Sequence, residues 1–345
     1  MRHNEIAPAE RGDAPLAAER RALLRGLLAA GGGLGALALA GCASTPKPSV
    51  AGATPPLPSA TPASPTASGP AMGSPAPPPV VVATPLRRPR IGLALGGGAA
   101  RGFAHIGVIQ ALEENGFAPD LVVGTSAGSL VAALFASGRN GRELAAIADA
   151  MDETAFADWA YPGRGLIRGE ALARFVRDKT NRRDIEKMRI PLGIAATDLD
   201  SGEGILFRSG DTGTAVRASS AVPAVFQPVR IGKREYVDGG LSAPIPVHHA
   251  RQMGAEFVIA VDISAIPEGA PTGDAARMLM QTFAIMGKTL KNYELKDADV
   301  VLQPALAGVS GADFTTRRQS IKAGRDVTIA HLAELRERLA AKSRL

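Results

Sequence analysis

The chain has 345 residues, of which 46% are hydrophobic and 4% aromatic, and its formal net charge is +6. This composition indicates a large globular domain with additional segments and excludes a wholly disordered or fibrous chain. Residues 1–41 carry a charge of +1 and residues 43–90 a charge of +4, which leaves +1 for residues 91–345. Because the globular part lacks a basic field, we expect no nucleic-acid partner. The single cysteine, Cys42, excludes an internal disulfide and a cysteine-rich metal site.

The first 41 residues have the pattern of an export signal. A charged segment containing Arg20 and Arg21, which resembles a twin-arginine signal, precedes the small and apolar residues 27–41. That apolar stretch has 15 residues and is short for a membrane-spanning helix. Residues 39–42, LAGC, resemble the lipobox of bacterial lipoproteins, in which the cysteine becomes the lipidated first residue. An ordinary secretory signal with a chance cysteine is the alternative.

The segment after the signal predicts a membrane anchor on a long tether. We expect Cys42 to be lipidated and to hold the mature protein in the cell envelope. Ala43 lacks the aspartate that often retains lipoproteins in the inner membrane, which favours the outer membrane, facing the periplasm. Residues 42–90 contain 14 of the 26 prolines and cannot bury a core, so they are predicted to be a disordered or polyproline-like tether.

From residue 91 onwards, short apolar runs alternate with helical patterns. The predicted strands, in chain order, are 91–95, 121–123, 192–196, 205–207, 235–237, 257–261 and 300–302. The predicted helices are 103–114, 127–137, 142–151, 169–180, 247–253, 275–296 and 319–342. Strands separated by helices of this length imply right-handed crossovers and a mainly parallel sheet covered on both faces. The predicted fold class is therefore α/β, with three layers in the order α/β/α.

Glycine-containing loops follow three of the predicted strands. They are Gly96-Gly97-Gly98, Gly124-Thr125-Ser126 and Asp238-Gly239-Gly240. In a sheet of this kind the functional residues gather at the carboxyl ends of the strands. We therefore expect the three loops to converge.

The first loop, GGGAARG at residues 96–102, has neither of the familiar phosphate-binding patterns. The dinucleotide pattern needs glycine where Arg101 stands, and the P-loop needs lysine where Phe103 stands. What remains is a run of backbone N–H groups at a helix N-terminus, which favours a negative charge such as a tetrahedral oxyanion. A tight turn that only packs strand against helix is the alternative.

The second loop, GTSAG at residues 124–128, is typical of a nucleophile elbow. Glycine on either side of Ser126 permits a sharp turn from strand to helix that exposes the hydroxyl. A serine N-cap of the following helix is the alternative. The glycine run ends 28 residues earlier, separated by one helix and one strand, so the two loops are predicted to be neighbours. This pairing favours a catalytic serine.

Other residues that could carry chemistry are assigned structural roles. The histidines of the globular part lie in or at the start of helices, and none follows a strand: His105, His248, His249 and His331. Asp198 and Asp200 lack the spacing of an EF-hand loop, and a β-hairpin turn fits them better. We therefore predict no metal site and no cofactor.

Together the three motifs resemble those of patatin-like phospholipases, in the bacterial branch related to the neuropathy-target-esterase catalytic domain. GGGAARG is similar to the family's oxyanion loop with its arginine, GTSAG to its nucleophile elbow, and DGG to the motif of its catalytic aspartate. Residues 91–116 and 218–229 are also similar to the family's sequence. The resemblance implies a patatin-like catalytic domain over residues 91–345 that hydrolyses acyl esters, with phospholipids or lysophospholipids as substrates.

The resemblance also implies a Ser-Asp dyad without histidine. Asp238 then accepts the proton of Ser126, and catalysis passes through an acyl-enzyme. The oxyanion-hole residues implied are Gly96, Gly97, Gly98 and Arg101. A surface salt bridge is the alternative role for the arginine, and a turn residue is the alternative role for the aspartate.

Two alternatives to hydrolysis stay open at this stage. The same dyad is compatible with an acyltransferase or a thioesterase, and the same fold with a non-catalytic lipid-binding lipoprotein. The expected partners are the lipid substrate and, through the anchor, the membrane. The segment 152–168, with Trp159 and Tyr161, is a candidate lipid-facing loop. Acyl specificity and oligomeric state are not predicted.

Overall fold

The computed structural model describes residues 87–152, 158, 164–264, 273–311 and 313–343. Within these ranges the α-helices are α1 Ala104–Glu114, α2 Ala127–Ala136, α3 Gly141–Asp149, α4 Glu170–Lys179, α5 Thr212–Ser219, α6 Val247–Gln252, α7 Ala275–Glu294, α8 Arg317–Ala330 and α9 Leu332–Lys342. The strands are β1 Ile91–Leu95, β2 Leu121–Thr125, β3 Gly165–Ile167, β4 Leu192–Asp198, β5 Gly204–Phe207, β6 Ala224–Phe226, β7 Val229–Ile231, β8 Arg234–Asp238, β9 Phe257–Val261 and β10 Val300–Leu302. Short 3-10 helices include Ala99–Phe103 and Gly239–Leu241.

Some sequence predictions concern residues outside the described ranges. Residues 1–86 contain the predicted export signal, Cys42 and most of the predicted tether, and Trp159 and Tyr161 belong to the candidate lipid-facing loop. These statements stay predictions. Among the described residues, no helix is both long enough and apolar enough to cross a membrane.

The central sheet has eight strands, in the order β10-β9-β1-β2-β4-β8-β7, with β5 also paired to β4. Strands β10, β9, β1, β2 and β4 are parallel to one another. In contrast, β5 and β8 run antiparallel to β4, and β7 returns antiparallel to β8. Strands β3 and β6 form a separate parallel pair. The main sheet is therefore mostly parallel, as predicted.

Both faces of this sheet are buried. In β1, Leu93 and Leu95 pack in a cluster with residues of α1, α2 and α3, whereas Ala94 packs on the opposite face against Ala250 of α6. A strand covered on both sides needs apolar residues at every position, which explains the uninterrupted run IGLAL. These contacts confirm the predicted three-layer α/β/α fold.

The structure differs from the predicted elements at the C-terminus and in the middle of the chain. The predicted helix 319–342 is two helices, α8 and α9, because the backbone turns at His331, whose N–H donates to Val327 O and Thr328 O. The turn brings Leu335 of α9 into the core, where it is fully buried. Helix α5 is absent from the sequence prediction, although Asp211 caps it by accepting the N–H of Thr214. Strands β3, β6 and β7, of three residues each, are also absent from the sequence prediction.

The position of the candidate site follows from how two strands meet along β4. Thr125, the last residue of β2, pairs with Ala195, and Asp238, the last residue of β8, pairs with the next residue, Ala196. Strand β5 occupies the other edge of β4 at these residues, so β2 and β8 lie end to end on one side. Because they run in opposite directions, their carboxyl ends face each other. Ser126 and Asp238 therefore meet across 112 positions of sequence.

Candidate active site

Ser126 occupies the sharp turn between β2 and α2. Its φ of 53° and ψ of −122° are strained for a residue with a side chain, as expected of a nucleophile elbow. The flanking glycines are required by close approach of the backbone. A Cβ on Gly124 would lie 2.3 Å from the carbonyl oxygen of Gly128, and one on Gly128 would lie 2.2 Å from that of Leu95. The GTSAG motif therefore encodes this turn.

Asp238 is the hydrogen-bond partner of the Ser126 hydroxyl. Ser126 Oγ donates to Asp238 Oδ2 at 2.7 Å, and Asp238 Oδ1 accepts the N–H of Gly240 at 2.7 Å. The aspartate is only 7% exposed. Burial raises the pKa of Asp238 from its ordinary 3.8 to about 6, against the opposing effect of its hydrogen bonds with Ser126 and Gly240. The carboxylate is therefore a much better proton acceptor than it would be in water.

A buried serine, Ser219, stabilises the backbone of the elbow. Its hydroxyl accepts the N–H of Ser126 at 2.9 Å and donates to Ala195 O at 2.5 Å, which ties the turn to β4. Thr197 Oγ1 likewise donates to the backbone oxygen of Asp238 at 2.9 Å. No sequence pattern predicts a role for either residue. For Ser219, its place in the family-like segment 218–229 is the one signal available in the sequence.

The first two glycines of the oxyanion loop do not offer free N–H groups. The N–H of Gly96 donates to Val261 O at 3.1 Å, and the N–H of Gly97 donates to Pro244 O at 3.0 Å. This corrects the expectation that both residues contribute oxyanion donors, because those donors already have acceptors. Gly97 still lies against the nucleophile, since a Cβ added there would be 3.3 Å from Ser126 Cβ.

The next two residues of the loop supply the available donors. Within the described part of the chain, the N–H groups of Gly98 and Ala99 donate to no protein acceptor, and both residues line the same cleft as Ser126. They open the 3-10 helix Ala99–Phe103, and a helix N-terminus attracts negative charge. A Cβ on Gly98 would lie 2.7 Å from Ile263 O, so glycine is required there by packing.

His105 packs beneath the loop and is fully buried. Its Nε2 lies 2.8 Å from Gly96 O and donates to it, because a carbonyl oxygen can only accept. Burial lowers the pKa of His105 to about 4, so the ring is neutral near pH 7. This histidine therefore holds the glycine loop in position and does not contact the hydroxyl of Ser126.

Arg101 lines the cleft with a partly buried guanidinium group. Burial lowers the pKa of Arg101, and the attraction of Asp262 opposes this effect. The carboxylate of Asp262 is ion-paired with Lys291 at 2.9 Å, and Arg101 Nε has no hydrogen-bond partner among the residues that the structure describes. Arginine stays charged in proteins, so Arg101 places a positive charge at the wall of the cleft.

These residues share one cleft of about 270 Å³. One wall holds the predicted site residues Gly97, Gly98, Arg101, Ser126 and Asp238, and the convergence expected for the three loops is confirmed. Gly96 is buried beneath this wall. The other wall is helix α7, through Met280, Phe283, Ala284, Gly287 and Lys288. The cleft is thus mostly apolar and carries two cationic side chains.

The remaining candidates have structural contacts. Asp198 Oδ1 accepts the N–H groups of Asp200 and Ser201, both at 3.0 Å, which confirms the predicted hairpin turn between β4 and β5. The other described histidines contact polar groups elsewhere: His248 contacts Glu294 and Asp297, His249 contacts Gln252, and His331 contacts Val327 O. Across the described ranges, no group of three or more His, Cys, Asp or Glu side chains could hold a metal ion.

Comparison with known proteins shows which families the domain is similar to. Residues 93–251 match the family described as patatin-like phospholipase. An uncharacterized NTE family protein of Mycobacterium tuberculosis is 37% identical over 190 residues, which are 54% of this chain and 52% of that one. Patatin-like phospholipase domain-containing protein 6 of Mus musculus is 35% identical over 187 residues, which are 52% of this chain and 14% of that one. The chain therefore spans about half of the mycobacterial relative.

Among solved structures, VipD from Legionella pneumophila has a TM-score of 0.49 and 15% identity, covering 74% of this chain and 67% of that one. The match over residues 93–251 and the relatives support a patatin-like catalytic domain of the lipid acyl hydrolase type.

Proposed function

We propose that this chain hydrolyses acyl esters of phospholipids or lysophospholipids through an acyl-Ser126 intermediate, with Asp238 as the general base. The 2.7 Å hydrogen bond from Ser126 Oγ to the buried Asp238 Oδ2 carries this proposal. It joins a strained, partly exposed nucleophile to a carboxylate whose pKa is raised to about 6. The match to patatin-like phospholipases supports a lipid substrate.

In the acylation step, ionised Asp238 accepts the proton of Ser126 as Oγ attacks the ester carbonyl carbon. The carbonyl oxygen becomes an oxyanion, and the N–H groups of Gly98 and Ala99 stabilise it. Fixed donors of this kind act in a site from which water is partly excluded, so each stabilises the oxyanion far more than it would in water. The positive charge of Arg101 adds to this field. When the tetrahedral intermediate collapses, the departing alcohol takes the proton from Asp238, and the acyl group remains on Ser126.

In the deacylation step, a water molecule replaces the alcohol. Asp238 takes a proton from this water as its oxygen attacks the acyl carbon, and the same oxyanion donors are used again. Collapse releases the fatty acid, and Asp238 returns the proton to Ser126 Oγ. One carboxylate therefore serves both half-reactions.

The charges of the cleft support a phosphate-bearing substrate. Arg101 and Lys288 both line it, and within the described ranges neither forms an ion pair with an acidic side chain. A phosphate group near the scissile ester would satisfy both cations. A neutral acylglycerol would bring no negative charge to either cation.

Reaction with a fluorophosphonate probe tests the nucleophile. We expect the wild type and the exposed-loop control Ser201→Ala to be labelled and to release fatty acid from phospholipid vesicles. Ser126→Ala should fold, remain unlabelled and release none. Labelling of Ser126→Ala, or an unlabelled and inactive wild type, contradicts the proposal and would support a non-catalytic lipid-binding protein. Release of acylated alcohol instead of fatty acid, in the presence of an added alcohol, would identify an acyltransferase.

We also propose that Cys42 is lipidated and anchors the domain in the cell envelope, at the outer membrane facing the periplasm. The sequence LAGC after an export-like segment and the proline-rich residues that follow support this. The wild type should fractionate with membranes and carry lipid by mass spectrometry, whereas Cys42→Ser should be released. A wild type without lipid, or a membrane-bound Cys42→Ser, contradicts the anchor.

A further inference from the structure

A second cavity lies beside the catalytic cleft, on the other side of the glycine loop. Every described residue that lines it is apolar, and its outer walls include Leu130, Ile147, Met151, Phe175 and Phe314. The volume of this cavity is about 70 Å³, against about 270 Å³ for the catalytic cleft. A cavity with so little polar lining offers water few hydrogen bonds and favours an apolar occupant.

The cavity begins next to the reacting atoms. Ala99 borders both the cleft and the cavity, and Ala127, which directly follows the nucleophile, lines the cavity. Gly102 and Ala127, which both line the cavity, pack closely together, since a Cβ on Gly102 would lie 2.8 Å from Ala127 Cβ. Ala99 itself has a φ of 51°, the left-handed region, at the common edge of the two spaces. A carbonyl held by the N–H of Ala99 therefore lies at the rim of the apolar cavity.

We propose that this cavity is the acyl-chain subsite: it binds the hydrocarbon chain of the ester that Ser126 attacks. The inference rests on the proposed hydrolase function. The two spaces match the two ends of an amphipathic ester. The cationic side chains Arg101 and Lys288 line the cleft and suit the phosphate-bearing alcohol, whereas the second cavity has no charged side chain and suits the alkyl chain.

The subsite makes a quantitative prediction about chain length. Each methylene transferred from water into an apolar site contributes about a fourfold preference. For p-nitrophenyl esters, kcat/KM should therefore rise with each step from butyrate to octanoate, until the cavity is filled. The short butyrate ester should depend little on the cavity, because its chain scarcely passes the rim at Ala99.

The test is to place a larger side chain on the wall of the cavity, so that it occupies the space proposed for the alkyl chain. In Ile147→Trp, a larger side chain from α3 enters the cavity, and Met151→Trp does the same from the residue just beyond that helix. The matched control is Ala146→Trp, which places the same side chain at an exposed neighbouring position of α3 that does not line the cavity. We expect both filling variants to lower the octanoate to butyrate ratio of kcat/KM by about tenfold or more, as loss of two or more buried methylenes requires. The control should keep the wild-type ratio.

Butyrate hydrolysis separates failure of this inference from failure of the proposed function. If folded Ile147→Trp and Met151→Trp keep both the wild-type ratio and butyrate turnover, the cavity does not hold the chain. A ratio that falls instead in Phe283→Ala would place the chain against α7 in the catalytic cleft and would also overturn the inference. A wild type that hydrolyses no ester at all would contradict the proposed function itself.

Discussion

The two halves of the central sheet contribute differently to the candidate active site. The parallel half supplies the glycine loop after β1 and the nucleophile after β2, each at the turn from a strand into a helix. The antiparallel half supplies the base from β8, which approaches along β4 from the opposite direction. The reaction centre therefore lies where the two halves meet, and the pairing of β4 with both strands sets the distance between Ser126 and Asp238.

The two halves also differ in backbone strain and in the burial of the catalytic side chain. Ser126 has a strained backbone and a partly exposed hydroxyl, whereas Asp238 has an unstrained backbone and a buried carboxylate. Strain presents the nucleophile to the substrate, and burial raises the proton affinity of the base. Each half therefore positions one residue of the pair. We expect substitutions in the two halves to have different effects on catalysis and stability.

The largest effect is expected from the antiparallel half. Asp238→Asn should fold but lower kcat/KM for p-nitrophenyl butyrate by about 10⁴-fold, because an amide cannot accept the proton of Ser126. Asp200→Asn in the β4–β5 hairpin is the matched control and should keep wild-type turnover. A folded Asp238→Asn with substantial activity would remove the aspartate from the mechanism.

The same variant should change stability in a pH-dependent way. The unfolded chain loses the proton of Asp238 near pH 3.8 and the folded chain near pH 6, so the folded state binds this proton more tightly. The stability that the protonated form contributes is present below pH 3.8 and is lost as the pH rises through about 6. At pH 8 the cost is about 3 kcal/mol, and Asp238→Asn should recover part of it. Denaturant unfolding of both proteins should show a gain at pH 8 that disappears near pH 4; an equal difference at both pH values would contradict the raised pKa.

The next largest effect concerns the glycine loop of the parallel half. Gly98→Ala should move the loop, because the new Cβ would lie 2.7 Å from Ile263 O, and the N–H donors of Gly98 and Ala99 would move with it. Loss of one oxyanion donor costs about 10² to 10³ in kcat. Gly273→Ala, where a Cβ meets nothing within 4 Å, is the control. Full turnover by a folded Gly98→Ala would make the loop structural only.

A smaller effect is expected at Ser219, whose hydroxyl links the elbow to β4 by hydrogen bonds. Ser219→Ala leaves the N–H of Ser126 and the buried Ala195 O without their hydroxyl partner, a loss of about 1–3 kcal/mol. If half of this free energy is lost from the positioning of Ser126, kcat should fall about two- to tenfold while KM stays unchanged. The neighbouring Ser220→Ala is the control. A rise in KM with unchanged kcat would show that Ser219 acts on binding and not on the position of the nucleophile.

The smallest effect tests the charge of the cleft. Lys288→Met should lower kcat/KM for a lysophospholipid by about two- to fivefold, the range of an exposed ion pair, and leave p-nitrophenyl butyrate unchanged. Lys296→Met, exposed and outside the cleft, should alter neither. Equal losses on both substrates would show that Lys288 does not distinguish phosphate-bearing esters.

The same two halves differ in how much of them could be predicted from sequence. The runs IGLAL and LVVGT, with the glycine motifs behind them, predict the strands, the elbow and the neighbouring loop, because close packing leaves few other residues possible there. In the antiparallel half, α5 and β7 were not predicted, and nothing local encodes the direction of β8.

Two features of the site depend on tertiary contacts. The motif GGGAARG does not reveal that the N–H groups of Gly96 and Gly97 already have acceptors, because those acceptors, Val261 O and Pro244 O, lie far along the chain. The sequence likewise does not reveal the hydrogen bond between Ser219 and the elbow, because that bond forms only when α5 packs beside Ser126.

Activation of Ser126 by Asp238, without a histidine, can be tested by the pH dependence of kcat/KM for p-nitrophenyl butyrate. In the free enzyme this quantity should rise through a single ionisation at about pH 6 and then level off, because only the carboxylate form of Asp238 accepts the proton. The same profile should be found in the single substitutions to glutamine at His105, His248, His249 and His331. A folded histidine variant that loses activity or the ionisation near pH 6, beside an active Asp238→Asn, would contradict the account and identify a histidine as the base.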